Sequence, residues 1–260
     1  MLRKSFLNAS FILSALVLGL TADSCRTKDK QLTPVTPTPR THGKLTIKFV
    51  NDIDGHSIIF DTLAYTNATG NKYSVGLLKY YVSNFTLIKQ DSSKTNFGNY
   101  KLINAADTST CHFTLDSVVN GDYTAIRFYL GVDSAHNHTG DQTGDLDPRN
   151  AMIWTWNTGY MFMKHEGLFV PTTGGTSILA YHYGTDMALA TVDIPLSAFS
   201  VLNNDRTITI RFNLNTLYST PVQVDFNNNN IHESTSFDDV TWLNSLKRNF
   251  PSAFILSSVE

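Results

Sequence analysis

Short runs of alternating apolar and polar residues, bounded by Asn, Asp and Gly, recur from Leu45 to Leu214. Successive side chains on a strand leave opposite faces, so such alternation marks strands with one buried face. Leu45-Thr-Ile-Lys-Phe-Val50 opens the series. Ser57–Leu63, Leu77–Lys89, Asn99–Ile103, His112–Leu115, Tyr123–Val132, Tyr160–Glu166, Ser177–Tyr183, Ala188–Ile194 and Arg206–Leu214 continue it. About ten strands spaced this way predict a mostly β fold, a two-sheet β-sandwich. One short C-terminal helix is predicted over Asp238–Phe250, with Val240, Leu243 and Leu246 on one face and Pro251 as its stop. Residues 43–260 contain no repeat and no compositional break, which points to a single domain.

Charge narrows the function classes. Only 16% of residues are charged, against ~25% in average soluble domains. A coiled coil or a charge-rich tail needs more Lys, Arg and Glu, and a nucleic-acid binder needs them clustered. The balance is also uneven along the chain. Residues 1–42 carry six basic and two acidic residues, and the remainder carries 14 basic and 20 acidic, so a basic end of +4 precedes a domain of −6.

The basic end reads as a secretory signal. Arg3 and Lys4 precede an apolar run from Phe6 to Leu20 that is short and interrupted by Asn8, Ser10 and Ser14, unlike a membrane span. Leu20-Thr-Ala-Asp-Ser-Cys25 resembles a bacterial lipobox, which implies a signal peptide over 1–24 and lipidation of Cys25. A soluble secreted protein cut near the same place is the alternative. Cys111 is the one other cysteine, so lipidation of Cys25 leaves it without a disulfide partner. Residues 25–42, with Pro34, Pro37 and Pro39 among Thr and Lys, read as a lipidated Cys followed by an extended tether. The expected location is the outer membrane, facing either the periplasm or the exterior, because Arg26 does not match the Asp-type signal for inner-membrane retention.

The segment 131–167 concentrates rare side chains. It holds His136, His138 and His165, Trp154 and Trp156, and Met152, Met161 and Met163. In extended backbone His136 and His138 leave the same side, and neutral imidazoles suit copper, zinc or nickel. Met161, Met163 and His165 share a strand face by the same spacing, a soft set suited to Cu(I). Each feature also has a structural explanation: a solvated polar loop for His-x-His, and core filling for the Met and Trp residues. Asp141, Asp145 and Asp147 form a further carboxylate group. Asp225–Glu233 alternates oxygen donors but lacks the Gly and spaced Glu of an EF-hand, and reads as an Asn-rich turn.

These residues also carry a family resemblance. Gly131-Val-Asp-Ser134, Gly144-Asp-Leu-Asp-Pro148, Met152-x-Trp154-x-Trp156-x-x-Gly159-Tyr160 and the closing Glu166-Gly167 resemble the MbnP-like family of secreted proteins. Leu78-Lys-Tyr-Tyr-Val-Ser83 and Tyr181-His-Tyr-Gly184 extend the likeness. That family includes copper-binding periplasmic and surface proteins and many lipoproteins. The resemblance implies copper held between two histidines and a tryptophan oxidised to kynurenine, with a di-haem partner related to cytochrome c peroxidases. Carried over, His182 is the motif histidine, His136 or His138 the loop histidine, and Trp154 or Trp156 the tryptophan.

The expected function is copper uptake, storage or delivery without catalysis. No Gly-x-Ser-x-Gly elbow, His-Glu-x-x-His or phosphate-binding glycine loop is present. The competing expectation is a glycan-binding or adhesive sandwich, in which Trp154 and Trp156 stack on sugar and the histidines are structural.

Overall fold

The computed structural model describes residues 41–154, 159–202, 204–228, 230–234 and 240–260, all of them within one compact unit. The expected signal peptide, Cys25, the tether up to residue 40 and Trp156 lie outside the described residues. The described residues form fifteen strands: β1 (His42–Ile53), β2 (His56–Ser57), β3 (Tyr65–Thr66), β4 (Lys72–Tyr73), β5 (Leu77–Lys89), β6 (Lys94–Asn96), β7 (Tyr100–Asn104), β8 (His112–Val119), β9 (Gly121–Leu130), β10 (Met161–Phe169), β11 (Ser177–Gly184), β12 (Ala190–Val201), β13 (Arg206–Asn213), β14 (Ile231–His232) and β15 (Phe254–Val259). Two single-turn helices, α1 (Ser134–Asn137) and α2 (Leu214–Leu217), one longer helix, α3 (Val240–Ala253), and four short 3-10 turns complete the described elements. Among the described residues no helix is long and apolar enough to cross a membrane.

The strands form two sheets, as the alternation predicts. The smaller runs β15-β13-β1-β2, with β8 on the other side of β1. Its β1–β13 pair is parallel, in register from Leu45 opposite Arg206 to Asp52 opposite Asn213. The larger runs β12-β9-β5-β10-β11-β14, with β6 and β7 also pairing β5. Aromatic side chains join the sheets. Phe49 of the small sheet meets Tyr80, Phe85 and Phe128 of the large one edge-on, with ring centroids 5.9–6.4 Å apart. Phe254 of β15 closes the cluster against Phe128 at 5.3 Å. Edge-to-face pairs add roughly 0.5–1.5 kcal/mol each beyond their area burial.

Three elements differ from expectation. Strand β15 lies outside the expected runs because Phe254-Ile-Leu-Ser-Ser-Val259 lacks apolar/polar alternation; pairing with β13 and the buried Phe254 hold it, while Ile255 is exposed. The helix does not stop at Pro251 but ends at Ala253. Proline this close to the end removes a single i→i−4 bond, and burial of Phe250 and Ala253 holds the last turn. Over Ser57–Leu63 only Ser57 is laddered, and Phe60 makes an isolated bridge to Val75.

His165 lies wholly inside the sandwich. Its Nδ1 accepts from the Tyr218 hydroxyl at 2.6 Å, and its Nε2 lies 3.4 Å from the Ser74 carbonyl. Burial pushes its pKa down to about 4, against the weaker upward pull of Ser74 and Glu166. The unfolded chain therefore binds more protons than the folded one between about 4 and about 6.5, and stability falls as pH drops through that window. The loss is on the order of 3 kcal/mol for a shift of this size. Urea unfolding at pH 7 and pH 5 should show this decline, and His165→Gln should flatten it.

Candidate metal centre

The described residues of the connection between β9 and β10, 131–154 and 159–160, fold onto the outer face of the large sheet. Tyr81 and Tyr160 meet edge to face at 5.6 Å, and the Tyr81 hydroxyl donates to the Asp145 carbonyl at 2.9 Å. Lys79 Nζ donates to the Asn150 carbonyl. A bulge in β5 at Asn84, whose φ is 53°, turns that side chain toward the loop, where Nδ2 donates to Asp133 at 2.6 Å. Gly131 takes φ 115° and has the Phe162 ring where a Cβ would sit.

The His136-x-His138 pair is not extended, so the expectation that both rings leave the same side is overturned. Asp133 caps the helical turn α1 by accepting from the His136 amide, and that turn sends the two rings to different partners. His136 Nδ1 lies 2.7 Å from the Tyr100 hydroxyl and 3.3 Å from Asp133. Tyr100 also donates to Asp133, and burial together with that carboxylate raises its pKa to about 12. His138 Nε2 lies 3.0 Å from Asp186, in the turn that follows β11.

Between the two histidines, Asn137 is only 3% exposed and pins the loop. Its Nδ2 donates to Asp186 at 2.8 Å, and its Oδ1 accepts from the Tyr160 amide at 2.7 Å. Ser134 gives Asp186 a third donor. Partial burial works to raise the pKa of Asp186, but the donors from Asn137, Ser134 and His138 outweigh it and hold the carboxyl below its ordinary value. Thr185, the residue before Asp186, takes φ 80°, a strained setting for a β-branched residue.

His182 sits on the outer face of β11. The β10–β11 ladder sets Lys164 opposite His182 and Glu166 opposite Ala180. His182 Nε2 reaches Glu166 Oε1 at 2.8 Å, and Lys164 Nζ reaches the same oxygen at 3.1 Å. Burial works to raise the pKa of Glu166, and the His182 and Lys164 contacts bring it below the usual carboxylate range. Gly167 is required beside it, since a Cβ there would lie 2.2 Å from the Ser74 carbonyl. Trp154 packs over Gly184, two residues beyond His182 on the same face, with Cη2 3.1 Å from where a Cβ would be.

The soft set expected on β10 is divided. A bulge between Met161 and Met163 puts Met161 opposite Gly184 and Met163 opposite Tyr183, on different faces. Met163 and His165 are buried in the core, whereas Met161 lies toward the His182 face. The Asp141, Asp145 and Asp147 group does not converge either. Asp145 accepts from the Leu102 amide and pairs with Lys101, while Asp147 caps a turn and binds Arg149. Asp225 accepts from the backbone and side chain of Asn227, which makes the Asn-rich stretch a turn.

Among the described residues no three His, Cys, Asp or Glu side chains stand as a preformed ion cage. The structure instead gives three histidines, His136, His138 and His182, each with one ring nitrogen against a carboxylate. Sequence reasoning missed Asn137, Asp186 and Glu166. Glu166 stood inside a motif, whereas nothing in the sequence marks Asp186.

The fold and this face define a two-sheet β-sandwich whose long β9–β10 loop gathers histidine–carboxylate pairs over one sheet. The MbnP family model matches residues 42–237, and the chain belongs to that family. The solved structure of MbnP from Methylosinus trichosporium is similar, with a TM-score of 0.51 and 16% identity over 83% of this chain and 97% of that one. At that identity the likeness is one of fold. No curated protein matches the chain.

Gly184→Ala should displace Trp154, because its Cβ would also lie 2.6 Å from the Tyr160 carbonyl. Overpacking of this kind costs about 1–3 kcal/mol. The expected result is a lower thermal midpoint and a shifted tryptophan fluorescence maximum.

Proposed function

We propose that this chain binds copper as cargo, for uptake, storage or delivery without catalysis, through His182, one or both of His136 and His138, and Trp154 or Trp156. The observation that carries this reading is the pairing of each candidate histidine with a carboxylate: Glu166, Asp133 and Asp186. Metal-binding imidazoles characteristically give one ring nitrogen to such a group and ligate through the other. Imidazole suits copper, and membership of the MbnP family supports that choice over zinc or nickel. His138 is the favoured loop ligand, because Asp186 ties it to the end of the strand that bears His182.

The glycan reading receives less support. Trp154 is 7% exposed and packs on Gly184, so it offers no open face to a sugar ring. Trp154 and Trp156 are instead the residues on which a di-haem partner would act. Metal analysis of the purified protein should give one copper per chain, reduced well below one by His182→Ala and by the His136→Ala/His138→Ala pair. Stoichiometry unchanged by those substitutions would sink the reading. Peptide mass spectrometry from the native host should show the kynurenine mass change at Trp154 or Trp156.

The same reading places the domain at the outer membrane on a lipid attached to Cys25. Labelling cells with a palmitate analogue should mark the wild type, and Cys25→Ser should abolish the label and release the protein from membranes.

A further inference from the structure

We infer that Glu166 is the positioning residue for His182: by accepting the Nε2 proton it presents Nδ1 as the metal-binding nitrogen, an assignment that rests on the copper reading above. The two residues are diagonal neighbours on the outer face of the β10–β11 ladder, with Nε2 and Oε1 2.8 Å apart. Lys164 Nζ stands 3.1 Å from the same oxygen, which keeps the carboxylate anionic. An ionised carboxylate only accepts, so the shared proton sits on Nε2 and the neutral ring carries its lone pair on Nδ1.

The backbone on either side holds Glu166 in place. Its carbonyl accepts from the Gly76 amide at 2.8 Å, and Gly167 lets the Ser74 carbonyl approach the next residue. The contrast with Asp186 separates the two carboxylates by role. Asp186 takes donors from Ser134 and Asn137 besides His138, and so fastens the loop to the strand end. Among the described residues the Glu166 carboxylate meets His182 and Lys164, both on the face that carries the site. Its pairing therefore orients a ring rather than closing a loop.

The test uses ring ¹⁵N NMR of the metal-free protein followed by addition of Cu(I), which is diamagnetic. The wild type should show the Nε2–H tautomer at His182. Glu166→Gln, whose amide oxygen still accepts, should retain that tautomer, and Glu166→Ala should give a mixture. Cu(I) should shift Nδ1 rather than Nε2. Affinity should fall roughly 10–100-fold in Glu166→Ala and less in Glu166→Gln, with thermal unfolding of the variants close to wild type. A wild-type tautomer in metal-free Glu166→Ala, or a Cu(I) shift at Nε2, overturns the assignment. If the wild type takes up no Cu(I) while the tautomers respond as stated, the copper reading falls and the positioning role stands.

Discussion

Strand β5 is the element on which the rest of the molecule depends. Its inner face sends Tyr80 and Phe85 into the aromatic cluster shared with Phe49 of the small sheet. Along one edge it pairs first with β10 and then with β9, and along the other with β7 and β6. A strand that serves four neighbours must be buried on both faces for most of its length, which is why Leu77–Lys89 is so apolar. Its outer face then needs a cover, and the β9–β10 connection supplies one. Tyr81 receives Tyr160 and the Asp145 carbonyl, and the bulge at Asn84 reaches Asp133. The loop that carries the histidines is thus fixed by the strand beneath it.

That dependence explains how a segment rich in Gly, Asp and Asn can hold chemically useful side chains in place. Asp133, Asp145 and Asp147 each meet backbone amides or donors of the loop or the sheet below it. Such hydrogen bonds to a carboxylate are stronger than neutral ones. With few competing charges in the domain, each carboxylate finds one local set of donors. The result separates His136 and His138, which spacing alone had placed side by side. One is drawn to β7 through Tyr100, the other to the end of β11 through Asp186. A four-residue helical turn suffices for this, since residues two apart on a helix point away from each other.

Much of the fold was legible because period-two alternation reports burial directly. Leu77–Lys89 has the same ends in sequence and structure, and β1, β11 and β13 differ from the predicted runs by a few residues. What alternation does not report is a strand anchored by pairing and one buried aromatic, and β15, held by β13 and Phe254, is of that kind. Nor does it report a bulge. One inserted residue between Met161 and Met163 turned an apparent stripe of soft ligands into one outward methionine and a buried Met163 and His165. At the candidate centre the histidines were visible as rare residues, but the pairing of His182 with Glu166 and of His138 with Asp186 was not. Glu166 and Asp186 lie 16 and 48 residues from the histidines they hold, so the pairing exists only once the sheet has formed.

Among the described residues the candidate centre consists of pairs and not a closed cage. On the proposed copper reading, each pair spends one ring nitrogen on orientation and leaves the other for the ion. His182 stands on the β10–β11 ladder, and His138 is held by the contact of its loop with Asp186. Thr185, at φ 80°, lies between Gly184 at the end of β11 and Asp186, so a strained residue joins the strand that bears His182 to the carboxylate that holds His138.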